Sequence, residues 1–353
     1  MNTKKEQGYI TKTGRNCSID LFRYVCAVMV VAVHTNPVSD INGRLGYLCT
    51  QILPRIGVPF FFAVAGFFYI QKLEKGKGKG VFIPYISKLL WVYLIWSLLY
   101  AGIDYLQYRP ADITAFIKDC LRRVLTTGIS EHFWFFPALI FSVCITTLLF
   151  RLGCGRLLYA VSLLLYGVGC LGCSYHVLGT KLPLLANLYA HPQFLQIRRI
   201  LMMGLPFFLA GYLVYRIKDR VLAPAWQKWI LPCWVGSVIL WLGEIALVRV
   251  LKWEVNIYIT FGLYLLLITT LLLLLKNPLP QYRKAADSCR MLANFTYYAH
   301  PAVIMALALF YNRFLGLSLT ETPKFLLTVG ITLVGGLICR RLDNKWINRI
   351  MNY

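Results

Sequence analysis

The sequence predicts an all-α polytopic membrane protein with about ten transmembrane helices and both termini in the cytoplasm. Three observations carry this. The chain is 58% hydrophobic, with a mean hydropathy of +0.62 and only 14% charged residues; a soluble chain carries closer to a quarter. Apolar runs long enough to cross a bilayer recur from end to end. Lys and Arg give a formal net charge of +23, yet they sit in the short segments between those runs, as orientation signals do. That placement excludes nucleic acid as a partner, since the sequence has no basic domain, zinc-finger spacing or recognition module.

Residues 1–17 read as a polar, basic cytoplasmic tail. No small-residue cleavage site follows the first apolar run, which is expected to stay as a signal-anchor. That run, about 18–37, carries Arg23 and His34. The second, about 51–70, opens with Arg55 and holds Phe60-Phe61-Phe62, read as packing or lipid contact. Lys-Gly-Lys-Gly-Lys-Gly-Val at 75–81 lacks the G-x-x-x-x-G-K-[ST] spacing of a phosphate loop and reads as a flexible basic loop. The third span, about 82–103, has Lys88 in its first turns. The two longest outer segments, about 104–131 and 175–198, suit short amphipathic helices.

The fourth span, about 132–150, opens with His132 and Trp134. The fifth, about 157–174, is Gly-rich and contains Cys170-x-x-Cys173, read as small residues for close packing rather than a metal or redox site. The eleven cysteines show no regular spacing, so neither a disulfide framework nor a metal site is expected. The sixth span, about 199–215, opens with Arg199, and the seventh, about 229–249, carries Glu244. The eighth is about 256–275. The ninth, about 291–311, holds His300 before Pro301. The tenth, about 323–339, closes a membrane domain of residues 18–340, and residues 341–353 form a basic cytoplasmic tail. Inner segments hold about twice the Lys and Arg of the outer ones, which sets the orientation. No internal repeat is obvious, which weighs against an inverted-repeat transporter.

Arg23 and His34 are spaced Arg-x10-His. At 3.6 residues per turn both side chains lie on one helix face, roughly 16 Å apart. Two readings compete. In one, Arg23 snorkels to headgroups and His34 ends the helix. In the other, ionisable groups inside a span mark a functional path. Arg23 and Lys88 share the cytoplasmic depth, where a basic pair suits phosphates. His34, Arg55, His132, Arg199 and Glu244 share the outer third. Arg55, Arg199 and His132 also fit as interfacial anchors. Glu244 needs a cation or a proton at that depth, with Arg199 and Arg55 as candidate partners. His300, near midplane, either serves the site or satisfies carbonyls freed by the Pro301 kink. His34 suits general-base work because imidazole titrates near neutrality.

These residues carry a family resemblance. Arg23 and His34 resemble the first-helix signature of the membrane-bound acyltransferase-3 family. Arg55-Ile-Gly-Val-Pro-Phe-Phe-Phe-Ala-Val-Ala-Gly66 resembles its V-P-F-F-F-x-x-S-G, with Ala65 where Ser is usual. His132-Phe-Trp134-Phe-Phe-Pro137-Ala-Leu resembles H-L-W-F-x-P-A-L. Arg199 with Gly204-Leu-Pro-Phe-Phe-Leu-Ala-Gly211 resembles the sixth-helix motif. Phe295-Thr-Tyr-Tyr-Ala-His300-Pro301 resembles S-x-x-I-Y-x-x-H-P. The resemblance spans roughly residues 18–340. Within it the chain looks most like the membrane half of the vancomycin-resistance serine racemases. With no racemase domain before Tyr353, racemase activity is not expected.

The resemblance implies an integral-membrane O-acyltransferase of the bacterial inner membrane. It would take an acyl group, typically acetyl, from cytoplasmic acyl-CoA to a hydroxyl on a cell-surface or lipid-linked glycan. No bound cofactor is implied, and acyl-CoA is the donor substrate. A separate extracytoplasmic transferase is a further implied partner. His34, Arg23 and Glu244 are the candidate catalytic residues. Lys88, Arg55, His132, Trp134, Arg199 and His300 are the candidate substrate-binding residues. Two other functions remain open: transport of serine or another small polar solute, and a non-catalytic membrane partner.

Overall fold

The computed structural model describes residues 16–75, 80–342, 344, 346 and 351. Most of the expected N-terminal tail, residues 76–79 of the basic loop and much of the C-terminal tail lie outside the described residues. Among the described residues the structure is helical, with no strand. Eight helical runs are long and apolar enough to cross a membrane: Cys17–Thr35, Gly43–Lys75, Phe82–Tyr108, Glu131–Arg151, Phe194–Val221, Gln227–Val250, Pro280–Leu315 and Glu321–Arg341. Two shorter apolar helices, Gly155–Leu171 and Phe261–Lys276, supply the other two expected runs.

We number the principal helices α1 (Cys17–Thr35), α2 (Gly57–Lys75), α3 (Phe82–Tyr108), α4 (Ile113–Thr126), α5 (Phe135–Arg151), α6 (Gly155–Leu171), α7 (Pro183–Ala190), α8 (Leu205–Val221), α9 (Ile230–Val250), α10 (Phe261–Lys276), α11 (Arg283–Phe310) and α12 (Glu321–Arg341). Helices α4 and α7 occupy the two long segments expected to hold short helices. The second run starts at Gly43 rather than near 51. A π turn at Leu48–Ile52 and a 3-10 turn at Leu53–Ile56 carry the helix through Pro54, where the missing proline N–H interrupts the regular α-helical bonding.

The chain divides into two compact units. One comprises Met1–Phe61, Asp219–Trp234 and Thr269–Asn352, and the other Phe62–Lys218 and Val235–Ile268. In the first, α1 packs along α11, and α11 along α12. Asn16 caps α1, its side-chain oxygen accepting from the Ile19 amide at 3.2 Å, which satisfies one orphan donor of the first turn. Ile19, Cys26, Ala27 and Val31 form the buried face of α1. In the second unit, α2 and α8 cross at two glycines. A Cβ at Gly66 would strike the Phe208 carbonyl, and one at Gly211 the Ala63 carbonyl. Only glycine allows backbones to approach this closely.

Candidate active site

Helix α11 contains Pro301, which has no N–H to offer the carbonyl four residues back, that of Tyr297. His300 fills this gap. Its Nδ1 lies 2.9 Å from the Tyr297 oxygen and 3.0 Å from the Thr296 oxygen. Both partners are acceptors, so Nδ1 carries a proton and donates to them. The ring is fully buried. Its neighbour is His34, at 5.1 Å between ring centroids with the planes inclined by 42°. The carbonyl-satisfying reading of His300 and the site reading therefore hold together: one nitrogen serves the kink, and the ring stands beside the Arg-x10-His histidine.

His34 lies in the last turn of α1, next to a left-handed C-cap at Asn36, whose amide donates to the Ala32 carbonyl at 3.0 Å. Beyond it, Asp40 accepts from the Thr322 amide at 3.0 Å and from the Thr322 hydroxyl. The same hydroxyl accepts from the Val38 amide at 2.8 Å. The chain leaving His34 is thus clamped to the first turn of α12. These bonds hold the Asp40 carboxyl below the usual carboxylate range. Arg23, at the other end of the helix face, has Nη1 3.6 Å from Asp20. Arg55 folds back on its own helix, donating from Nε to the Gln51 carbonyl at 2.8 Å and from Nη2 to the Gln51 side chain.

In the second unit, Lys88 does not stand alone. It lines a cavity of about 500 Å³ with Lys72, Lys75, Gly80, Val81, Pro84 and Tyr85. Three ammonium groups around one opening favour a polyanion. Sequence reasoning missed Lys72 and Lys75 because they read as ordinary positive-inside charge.

His132 is buried in the Glu131–Trp134 turn, its Nδ1 3.1 Å from the Ser130 hydroxyl and its ring edge-on to Tyr100. Trp134 supports Arg199, whose guanidinium carbon lies 5.5 Å from the indole centroid, a cation–π contact. The structure thus brings Trp134 and Arg199 into contact.

Glu244 has different partners from the arginines anticipated. One carboxylate oxygen accepts from the Tyr175 hydroxyl and the Phe261 amide, both at 2.8 Å, and the other from the Gly262 amide at 2.5 Å. Phe261 and Gly262 are the first two residues of α10, whose free amides and dipole neutralise an anion. A Cβ at Gly262 would lie 2.9 Å from the Glu244 oxygen and 2.6 Å from Trp241 Cα, so glycine is what admits the carboxylate. Burial and the neighbouring Glu244 push the Tyr175 phenol up. Next to Arg199, Arg198 is the more deeply buried and points elsewhere, its Nη1 3.3 Å from the Cys173 sulfur.

Compared with known proteins, the chain matches the family described as "Acyltransferase domain" over residues 16–341. An "Amino-acid racemase" of Enterococcus faecalis is 32% identical over 210 residues, covering 58% of this chain and 30% of the relative. A "Serine/alanine racemase" of Enterococcus gallinarum is 33% identical over 162 residues, covering 44% of this chain and 23% of the relative. The chain thus aligns with less than a third of the length of these relatives. No solved structure matches it.

Proposed function

This multi-pass membrane protein belongs to the acyltransferase-3 family, and from that premise we propose that it is an O-acyltransferase of the bacterial inner membrane. The donor is a cytoplasmic acyl-CoA, acetyl-CoA in the simplest case. The acceptor is a hydroxyl on a cell-surface or lipid-linked glycan, reached directly or through a separate extracytoplasmic transferase.

The observation that supports this most is the His34–His300 pair at the end of the Arg-x10-His helix. His34 takes the proton of the acceptor hydroxyl as its oxygen bonds to the acyl carbonyl carbon. The thioester C–S bond then breaks, and the CoA thiolate leaves and takes up a proton. His300, fixed by its Nδ1 bonds, holds the orientation of the His34 ring. The donor's phosphates are assigned to Lys72, Lys75 and Lys88. Arg199 and Trp134 are assigned to the acceptor, and Arg55 and His132 are each assigned a part in substrate binding. Glu244 holds the start of α10. Both termini are assigned to the cytoplasm on the charge asymmetry.

The test is transfer of labelled acetyl groups to envelope glycans in cells producing the protein. Wild type is expected to label the envelope, while Arg23→Ala and His34→Ala insert normally and do not. Near-normal labelling by a well-inserted His34→Ala protein would overturn the mechanism. A second reading, transport of serine or another small polar solute, is favoured by the likeness to part of an amino-acid racemase and of a serine/alanine racemase. Uptake of labelled serine without acyl-CoA consumption would establish it instead.

A further inference from the structure

Arg198 opens the π-helical stretch Arg198–Gly204 and is only 8% exposed. Its neighbours come from three segments. Nη1 lies 3.3 Å from Cys173 Sγ, and the guanidinium carbon lies 5.4 Å from the Tyr258 ring centroid and 5.9 Å from that of Phe194. Backbone bonds join two of these segments. The Val255 amide donates to the Cys173 carbonyl at 3.0 Å, the Val177 amide to the Trp253 carbonyl at 3.1 Å, and the Ser174 hydroxyl to the Ile259 carbonyl. The surroundings of Arg198 are therefore built and held, not a loose surface.

The charge of this guanidinium is uncompensated. No carboxylate pairs with it among the described residues. Its one polar side-chain contact among these residues, Cys173 Sγ, is a sulfur and not a carboxylate. Nε is buried without a hydrogen-bond partner. A buried cation lacking an anion is costly, so such residues mark binding sites more often than packing. Nη1 is turned to sulfur, which leaves the Nε and Nη2 edge. That edge offers two parallel donors, the arrangement that takes two oxygens of one oxyanion.

We infer that Arg198 is the floor of an anion site, binding a carboxylate or phosphate group side-on between Phe194 and Tyr258. Arg199 faces Trp134, so the consecutive arginines serve different surfaces. The site does not depend on acyl transfer, and its test is a binding measurement that stands even if no transfer occurs.

The experiment uses full-length protein in phosphatidylcholine nanodiscs, titrated calorimetrically with sodium lactate, glycerol 3-phosphate and glycerol. Saturable binding of lactate or glycerol 3-phosphate is expected, with none of glycerol. Arg198→Gln should weaken it at least tenfold, and Arg198→Lys, which keeps the charge but loses the fork, by a smaller factor. Lys252→Gln, an exposed cation on the segment that carries Tyr258, should leave it unchanged. Loss of glycerol 3-phosphate binding in phosphatidylglycerol nanodiscs would identify a lipid headgroup as the source of the phosphate. The proposal is overturned if wild type binds neither anion in phosphatidylcholine, or if a folded Arg198→Gln or Arg198→Lys protein binds as wild type does.

Discussion

The imidazoles of His34 and His300, from two helices packed side by side, lie 5.1 Å apart between centroids. The pairing depends on Pro301. By removing one amide it leaves the Tyr297 carbonyl to His300 Nδ1, which sets the tautomer and the ring plane. The carbonyl left open by Pro301 and the candidate base are thereby linked through one side chain.

His300→Ala should lower acyl transfer by about 10²-fold, the scale of a misplaced reacting group, while the protein still inserts. Pro301→Ala should lower it by less, about tenfold. The restored amide competes with Nδ1 for the Tyr297 carbonyl, loosening the ring without removing it. Thermal stability measured alongside turnover separates the two, because Pro301→Ala should melt no lower than wild type.

Lys88→Glu should raise the KM for acetyl-CoA about tenfold and leave kcat nearly unchanged, as expected for phosphate binding remote from the reacting carbon. The same opening holds Lys72 and Lys75, so the wild-type KM should rise with ionic strength and the mutant's less steeply. A kcat defect with normal KM would move these lysines out of donor binding.

Glu244→Gln should cost about 1–2 kcal/mol of stability, because it weakens the capping of two α10 amides. Tyr175→Phe should cost about 1 kcal/mol through loss of one hydrogen bond. Turnover per folded molecule should stay within a few-fold of wild type in both. A hundredfold fall in kcat at normal stability would instead give Glu244 a direct part in the reaction.

The Asp40 clamp sets a pH dependence. Its folded carboxyl is held below the unfolded value by Thr322. The stabilisation is therefore fully present above the ordinary carboxylate range and is lost as pH falls through the lowered folded value. Hydrogen exchange at the Thr322 amide should stay slow near neutrality and lose protection under acid, and Asp40→Asn should lose protection near neutrality, with the difference from wild type shrinking under acid.

Much of this was legible in the sequence. Hydropathy and loop charge gave the ten apolar runs, and the Arg-x10-His spacing singled out His34. His300 beside His34 was not legible. The contact depends on the register in which α1 packs along α11, which residue types in either span do not signal. Glu244 was legible as an intramembrane carboxylate in need of a partner, but its partners proved to be a helix terminus and the Tyr175 hydroxyl. Backbone amides carry no residue-type signal. Arg198 was passed over for Arg199, because no helical-face rule separates adjacent residues entering a π turn.

The most direct test of the central claim is acetyl-CoA turnover by purified protein in lipid, with an envelope glycan as acceptor, comparing wild type with His34→Ala. The account predicts turnover in wild type and its loss in a folded His34→Ala protein. Equal turnover in both would contradict His34 as the base, and no turnover or acetyl-CoA binding in a folded wild-type protein would contradict acyl transfer itself.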